Sequence, residues 1–399
     1  MKPIIRFRQY NKEWRPFKLN TILVPSNEKN TKGLYSKNDV LSVSGEAGIV
    51  NQIAFQGRSF AGASVLNYGV VNTNDIVYTK SPLRNNPYGI IKTNNGPSGI
   101  VSTLYAIYNC CEESCPQFVD TYFTSSSRTN NYLRPLVRKG AKNDMKVSSE
   151  GALQGNVIFP YKDEQIEIAS YFRTLDAKLQ ASAKKVDSLK KLKSASLVAM
   201  FPQQGETIPK VRFKGFEGEW STSNLGSIFA ERIESNENGE MLSVTMNNGI
   251  IRSSDNGRFD NSNSDKSKYK VVKIGDIAYN SMRMWQGASG VSQYEGIVSP
   301  AYTVVTPRID VDTDFFGYLF KTDDVIRLFK LNSQGLTSDN WNLKYPAFSR
   351  ICVSYPESKE EQQAIATFFR SLDRKIALET ARLEKLKQIK LACLDKMFV

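Results

Sequence analysis

The residues that most often carry out chemistry are sparse in this chain. It contains no histidine, which excludes a Ser-His-Asp triad, a Cys-His pair and any histidine metal ligand. Acid–base work by Asp, Glu, Lys or Tyr stays open. Cys110-Cys111-x3-Cys115 has half the look of a zinc site, but no second ligand pair accompanies it, and the simpler reading is structural cysteine. Asn85-Asn86-Pro87-Tyr88 approaches the Asn/Asp-Pro-Pro-Tyr/Phe loop with which amino-methyltransferases hold a target amine. It lacks the double proline, and no Pro-Pro occurs anywhere in the chain, so it reads as a polar loop. Asp176-x-Lys178 and Asp373-x-Lys375 look like half of a nuclease site without an acidic strand partner, and read better as solvated helix faces. There is no G-x-G-x-x-G and no G-x-x-x-x-G-K-[ST], so neither a dinucleotide nor a P-loop cradle is signalled. The expectation is a non-enzymatic chain with no catalytic residues, no metal and no cofactor of its own.

Binding chemistry is better represented. The 53 Lys and Arg outnumber the 40 Asp and Glu, giving a net charge of +13 and a pI near 9.3. Such an excess suggests a polyanionic partner, most simply double-stranded DNA. Side chains suited to reading bases fall in polar, basic loops after two Asp-Ile-x-Tyr stretches: Lys80, Arg84, Asn85 and Asn86 after the first, Arg283, Trp285 and Gln286 after the second. Further candidates are Ser127, Arg128, Asn130 and Asn131, and then Gln334, Ser338, Asn340, Trp341 and Asn342. Arginine pairs bidentately with guanine, and Asn or Gln with adenine.

The elements that must position these loops are written twice. Ile5-Arg6-Phe7-Arg8 through Trp14 matches Val211-Arg212-Phe213-Lys214 through Trp220. Tyr68-x-Val70-Val71-x3-Asp75-Ile76-x-Tyr78 matches Tyr269-x-Val271-Val272-x3-Asp276-Ile277-x-Tyr279. Gly99-Ile100-Val101-Ser102-x2-Tyr105 matches Gly296-Ile297-Val298-Ser299-x2-Tyr302. Glu164-Gln165-x2-Ile168-Ala169-x2-Phe172-Arg173-x-Leu175-Asp176 matches Glu361-Gln362-x2-Ile365-Ala366-x2-Phe369-Arg370-x-Leu372-Asp373. Order is kept and the offset stays between 197 and 206 residues, so the chain is an internal duplication. Each copy opens with a region of short Val-, Ile-, Tyr- and Phe-rich runs punctuated by Gly, Asn, Ser and Pro, which predicts many short strands. These regions span 1–160 and 203–356.

Each copy closes with one long helix, predicted over 163–201 and 359–398 within segments 161–202 and 357–399. Apolar residues recur at 4,3 spacing over five heptads. The first seam is Ile168, Phe172, Leu175, Leu179, Val186 and Leu189, and the second Ile365, Phe369, Leu372, Ile376, Leu383 and Leu386. This is the signature of a coiled-coil seam. The polar intrusions correspond: Ser182 with Glu379, and Lys193 with Lys390. Asp163 is a predicted N-cap, and Ser358-x-x-Glu361 a predicted capping box. A helix of this length spans roughly 58 Å. If the two pair antiparallel, dissimilar basic heads would meet one duplex at two places, since B-DNA repeats every ~34–36 Å. The expected target is then bipartite and asymmetric, with an unread gap.

The block Glu164 to Asp176, followed by Leu189-Lys190-Lys191-Leu192-Lys193 and Met200-Phe201, resembles the central conserved region of type I restriction-modification specificity (S) subunits. Pro209-x2-Arg212-Phe213-x2-Phe216-x3-Trp220 resembles the segment that opens the second target-recognition domain of that family, and Glu361 to Phe398 its second conserved region. One departure is visible: Gln9-Tyr10 stands where the second copy has Gly215-Phe216. The resemblance covers the whole chain. It implies an α+β fold of two similar mixed α/β target-recognition domains separated by two long helices forming an antiparallel coiled coil. It also implies a DNA-binding subunit docked by two methyltransferase (M) subunits and joined by two restriction/translocase (R) subunits. S-adenosylmethionine, ATP and Mg would then belong to those partners, and the assembled complex would be a type I site-specific deoxyribonuclease and adenine methyltransferase. The rival reading is a coiled-coil scaffold without sequence readout. The odd cysteine count, uneven spacing and lack of an apolar leader suggest a reducing cytoplasm, and the resemblance implies a bacterial or archaeal one.

Overall fold

The computed structural model of the chain describes every residue except 84, 140–144, 247, 257–264 and 338–339. The chain divides into two compact units, Met1–Ala183 with Ala381–Val399, and Lys184–Thr380, so that the division cuts each long helix near its middle. Among the described residues no helix is long and apolar enough to cross a membrane.

The first unit centres on a four-stranded antiparallel sheet, ordered Leu23–Ser26, Tyr105–Cys110, Ile76–Thr79, Ile91–Thr93. The second repeats it as Phe229–Glu231, Tyr302–Pro307, Ile277–Asn280, Ser289–Val291. Around each sheet lie equivalent two-stranded ladders: Arg15–Lys18 with Asn156–Phe159 in one unit, Ser221–Asn224 with Cys352–Tyr355 in the other. The heads also contain short helices that a strand-rich pattern did not predict, Pro116–Tyr122 and Ser126–Leu133, then Thr313–Leu319 and Asp323–Asn332. Their apolar residues, such as Phe118, Val119, Phe315 and Phe316, close the core over one face of the sheet. The helices are too short for their periodicity to stand out in the sequence.

The repeated motifs have local physical reasons. Asp75 and Asp276 each close the turn before the central strand, with Oδ2 accepting the Asn72 amide at 2.7 Å and the Lys273 amide at 2.8 Å. The tyrosines that follow, Tyr78 and Tyr279, are fully buried. Gly99 and Gly296 are demanded by close approach. A Cβ on Gly99 would stand 2.5 Å from the Asp39 carbonyl oxygen, and one on Gly296 would collide with the Glu240 carbonyl in the same way. Ser102 and Ser299 end the motif in a turn, their carbonyls accepting the Tyr105 and Tyr302 amides at 3.1 and 2.9 Å.

The long helices run Lys162–Met200 and Lys359–Lys396. In the first unit the start of the first helix packs beside the end of the second, Ile168 and Phe172 sharing a core with Cys393, Leu394, Met397 and Phe398. In the second unit the end of the first helix packs beside the start of the second, Met200 and Phe201 sharing a core with Ile365, Phe369 and Leu372. The pairing is therefore antiparallel. No predicted seam position is exposed, from Ile168, Phe172, Leu175, Leu179, Val186 and Leu189 to Ile365, Phe369, Leu372, Ile376, Leu383 and Leu386. These side chains are covered within the chain itself. The lysines that interrupt the seam reach across it: Lys193 pairs with Asp373 in the second unit and Lys390 with Asp176 in the first, each at 2.5 Å.

Two predictions about helix starts are corrected. Asp163 is not the N-cap, because the helix already begins at Lys162 and the Gln165 amide donates to the Tyr161 carbonyl. The capping box at Ser358 is only half formed. The Glu361 amide donates to Ser358 Oγ at 3.2 Å, but the Glu361 carboxylate is engaged elsewhere, by Arg212.

Candidate nucleic-acid interface

The site is built on a latch between helix and head that appears in both units. Arg6 Nε and Nη2 donate to the two carboxylate oxygens of buried Glu164, each at 2.7 Å, and Arg212 grips Glu361 with the same two distances. Bidentate pairing of this kind fixes orientation as well as charge. The next residue seals the other side. Gln165 Oε1 accepts the Cys115 amide at 2.9 Å and its Nε2 donates to the Pro160 carbonyl. Gln362 accepts the Asp312 amide at 2.8 Å and donates to the Pro356 carbonyl. The repeated Glu-Gln pair thus locks the first head helix and the closing strand to the long helix. The one departure between opening segments has a matching change. Gln9 and Tyr10 both donate to Glu167, whose counterpart is Ala364, where the opening segment has Gly215 and Phe216. Burial first, then the Glu167 carboxylate, pushes the Tyr10 hydroxyl up to about 12.

On this frame the candidate readers of the first head divide. Asn85 and Asn86 lie in the loop after the central strand, and Asn130, 45 residues away, donates from Nδ2 to the Asn85 carbonyl at 2.9 Å. The Oδ1 atoms of Asn86 and Asn130 are covered and accept no hydrogen bond from the described residues. Lys80 begins this loop, its amide donating to the Leu104 carbonyl. Arg84 lies outside the described residues. Arg128 points elsewhere. Its guanidinium donates to the Tyr122 and Leu394 carbonyls and sits over the Tyr122 and Phe398 rings, 4.9 and 4.5 Å from their centroids. Burial lowers its pKa. Arg128 therefore seals the head against the end of the second long helix, which corrects its assignment as a free reader. Asn131 lines the same cleft as Arg128, while Ser127 is exposed beside it.

In the second head the two candidate segments meet. Trp285 and Trp341 pack edge to face with centroids 5.2 Å apart, and Lys330 Nζ lies 5.5 Å from the Trp341 centroid. Gln334 and Asn342 exchange backbone hydrogen bonds of 3.0 and 2.8 Å, and the Leu343 amide donates to the Ser281 carbonyl, joining this segment to the turn that holds Arg283 and Gln286. Arg283 and Asn340 are exposed, whereas Trp285, Gln286, Trp341 and Asn342 are half-buried. Ser338 lies outside the described residues. Lys330 is not among the residues singled out from the sequence. Lys330 stands in the last turn of a helix, where a basic residue is ordinary. The described residues contain no group of three or more metal-ligating side chains.

Residues 217–388 match the type I restriction modification DNA specificity domain. A stretch of 136 residues, 33% of this chain, is 26% identical to the type I restriction enzyme HindI specificity subunit of Haemophilus influenzae, and spans 29% of that protein's length. By sequence, the chain is similar to type I restriction-modification specificity subunits over part of its length. The fold of the whole chain is similar to the crystal structure of the type I restriction-modification system S subunit from M. genitalium. The TM-score is 0.58 at 14% identity, covering 100% of this chain and 99% of that one. The specificity-domain match falls on the second copy. The first copy carries the same latch, the same central sheet and the same four repeated blocks.

Proposed function

We propose that this chain is the DNA-reading subunit of a type I restriction-modification assembly. Each head reads one half of an asymmetric, bipartite duplex site. The helices dock two methyltransferase subunits, and two translocase-nuclease subunits complete the complex. The chain transfers no methyl group and cuts no strand; S-adenosylmethionine, ATP and Mg act on the partners.

One observation carries this reading. In each head, polar segments far apart in sequence converge beside the end of the same central strand, with different side chains in the two copies. A common scaffold presenting dissimilar polar surfaces is what two dissimilar half-sites require. Base edges in the major groove are distinguished by bidentate donors and acceptors, which the amides of the first head and Arg283 and Gln286 of the second supply. The excess of basic residues provides phosphate contacts that set register without reading sequence.

The test is to map methylated adenines in host DNA and then bind the mapped duplex with the chain and its methyltransferase partner. Exchanging residues 1–160 for another family member's head should change one half-site only; a change in both would overturn the division of labour. Adding one heptad to both helices lengthens them by ~10 Å, and the gap should grow by about three base pairs at ~3.4 Å each. Absence of sequence-selective binding with the partner present would favour the scaffold reading.

A further inference from the structure

The geometry points to Lys321 as a positioning residue for base reading by the second head: its ammonium clamps the turn that carries Arg283, Trp285 and Gln286. This inference rests on the function proposed above. Lys321 stands between the helices Thr313–Leu319 and Asp323–Asn332. Its Nζ donates to the Gly287 carbonyl and, at 2.8 Å, to the Ser289 carbonyl. These carbonyls flank Ala288, where the turn re-enters the sheet as the edge strand Ser289–Val291. Gly287 has a left-handed φ of 78° and closes the Met284–Gln286 turn through its amide. On the strand side the Asn280 amide donates to the Ala288 carbonyl at 2.9 Å. The turn is thus fixed to the sheet through Asn280, to the Leu343 segment through Ser281, and to the pair of helices through the Lys321 ammonium.

The first head does this differently. Thr124 occupies the place of Lys321, and its hydroxyl donates back to the Asp120 carbonyl of its own helix. The loop there is held by the neutral amide of Asn130. Among the described residues the lysine beside Thr124 is Lys92, which donates to the Thr124 hydroxyl at 3.4 Å and lies 3.6 Å from Asp120 rather than on the carbonyls of the reading loop. The charged groups facing Lys321 are Lys193 of the first long helix, paired with Asp373 of the second, and the Tyr318 hydroxyl donates to that same Asp373. Burial, then the nearby Lys193, brings the Lys321 ammonium down to about 8. Above that pH a charge-assisted clamp becomes a neutral one of roughly half the strength.

The experiment uses the full chain with its methyltransferase partner, and duplexes carrying the mapped site with single base changes in either half. Between pH 7 and 9 the discrimination between correct and altered bases in the second head's half-site should fall about 5-fold, on the order of one charge-assisted hydrogen bond lost to neutral strength. Discrimination in the first head's half-site should stay constant. Lys321→Met should show the reduced discrimination at pH 7 and no further fall at pH 9. Its hydrogen-exchange protection should drop across residues 282–290 and nowhere in the first head. Unchanged protection, or equal pH dependence in both half-sites, overturns the clamp. Should Lys321→Met not fold, the wild-type pH profile decides alone. Wild-type protein that selects no sequence at pH 7 overturns the proposed function instead.

Discussion

The two heads share a scaffold to the level of individual hydrogen bonds and diverge in how they brace it. Both latch a head arginine to a long-helix glutamate, but Glu164 also accepts from Trp14 Nε1 at 3.2 Å, whereas Trp220 Nε1 in the second head has no hydrogen-bond partner among the described residues. Both begin the central strand with an aspartate. Asp75 accepts from Asn109 at 2.8 Å, while Asp276 receives Nε and Nη2 of Arg232 at 2.7 and 2.8 Å. At the strand start the first head uses a neutral amide where the second uses a guanidinium. Fixed parts of the scaffold constrain the backbone, and the bracing is free to vary with the surface each head presents.

The comparison can be broken first at the latch. Glu361→Ala strips a buried carboxylate from Arg212 and should cost about 3 kcal/mol, in line with other broken buried pairs. Glu164→Ala should cost about 1 kcal/mol more, because Trp14 also loses its acceptor. Hydrogen exchange read separately in each unit measures both, since two units need not unfold as one. Equal losses would mean that the extra tryptophan bond contributes nothing.

The strand-start aspartates come next. Asp276→Asn leaves the half-buried Arg232 without its bidentate partner and should destabilise the second unit by about 2 kcal/mol. Asp75→Asn keeps an acceptor for the Asn72 amide and should fall within about 1 kcal/mol of wild type by the same measurement. A larger loss in the first unit would reverse the contrast drawn here.

A smaller and symmetric effect is expected at the seam. Lys193→Met and Lys390→Met remove ion pairs whose aspartates are 42% and 43% exposed and stay solvated. Each should change stability by less than about 1 kcal/mol, and by the same amount in both units. Thermal unfolding of the two variants would expose any inequality.

The least effect is the pH dependence that Asp75 adds to the first unit. Burial raises the Asp75 carboxyl above its ordinary value, against the lowering by its two hydrogen bonds. A folded state that holds this proton more tightly than the unfolded chain gains stability as pH falls from neutrality through the folded-state pKa, and loses it as pH rises again. Asp75→Asn should flatten that part of the first unit's stability profile. An unaltered slope would place the titration elsewhere.

Much of the architecture was legible without coordinates, for identifiable reasons. The duplication, the helix lengths and the seam follow from periodicity, and the seam heptads held even at Lys193 and Lys390, whose partners across the interface explain why they are tolerated. The short head helices were not legible, because 7 to 10 residues carry too few turns to set a period. Arg128 shows the limit for sites. A basic residue in a polar stretch looks the same whether it faces solvent or, as here, two carbonyls and two rings.

By itself the sequence determined that one module is built twice, that each ends in a long amphipathic rod, and that the chain is basic and without histidine. These are properties of composition and spacing, and no fold is needed to read them. Tertiary structure alone decided which residues meet: Asn130 with Asn85, Trp285 with Trp341, Lys321 with the turn it holds. Such contacts join segments tens of residues apart and depend on how sheet and helices pack, and linear spacing carries no record of that.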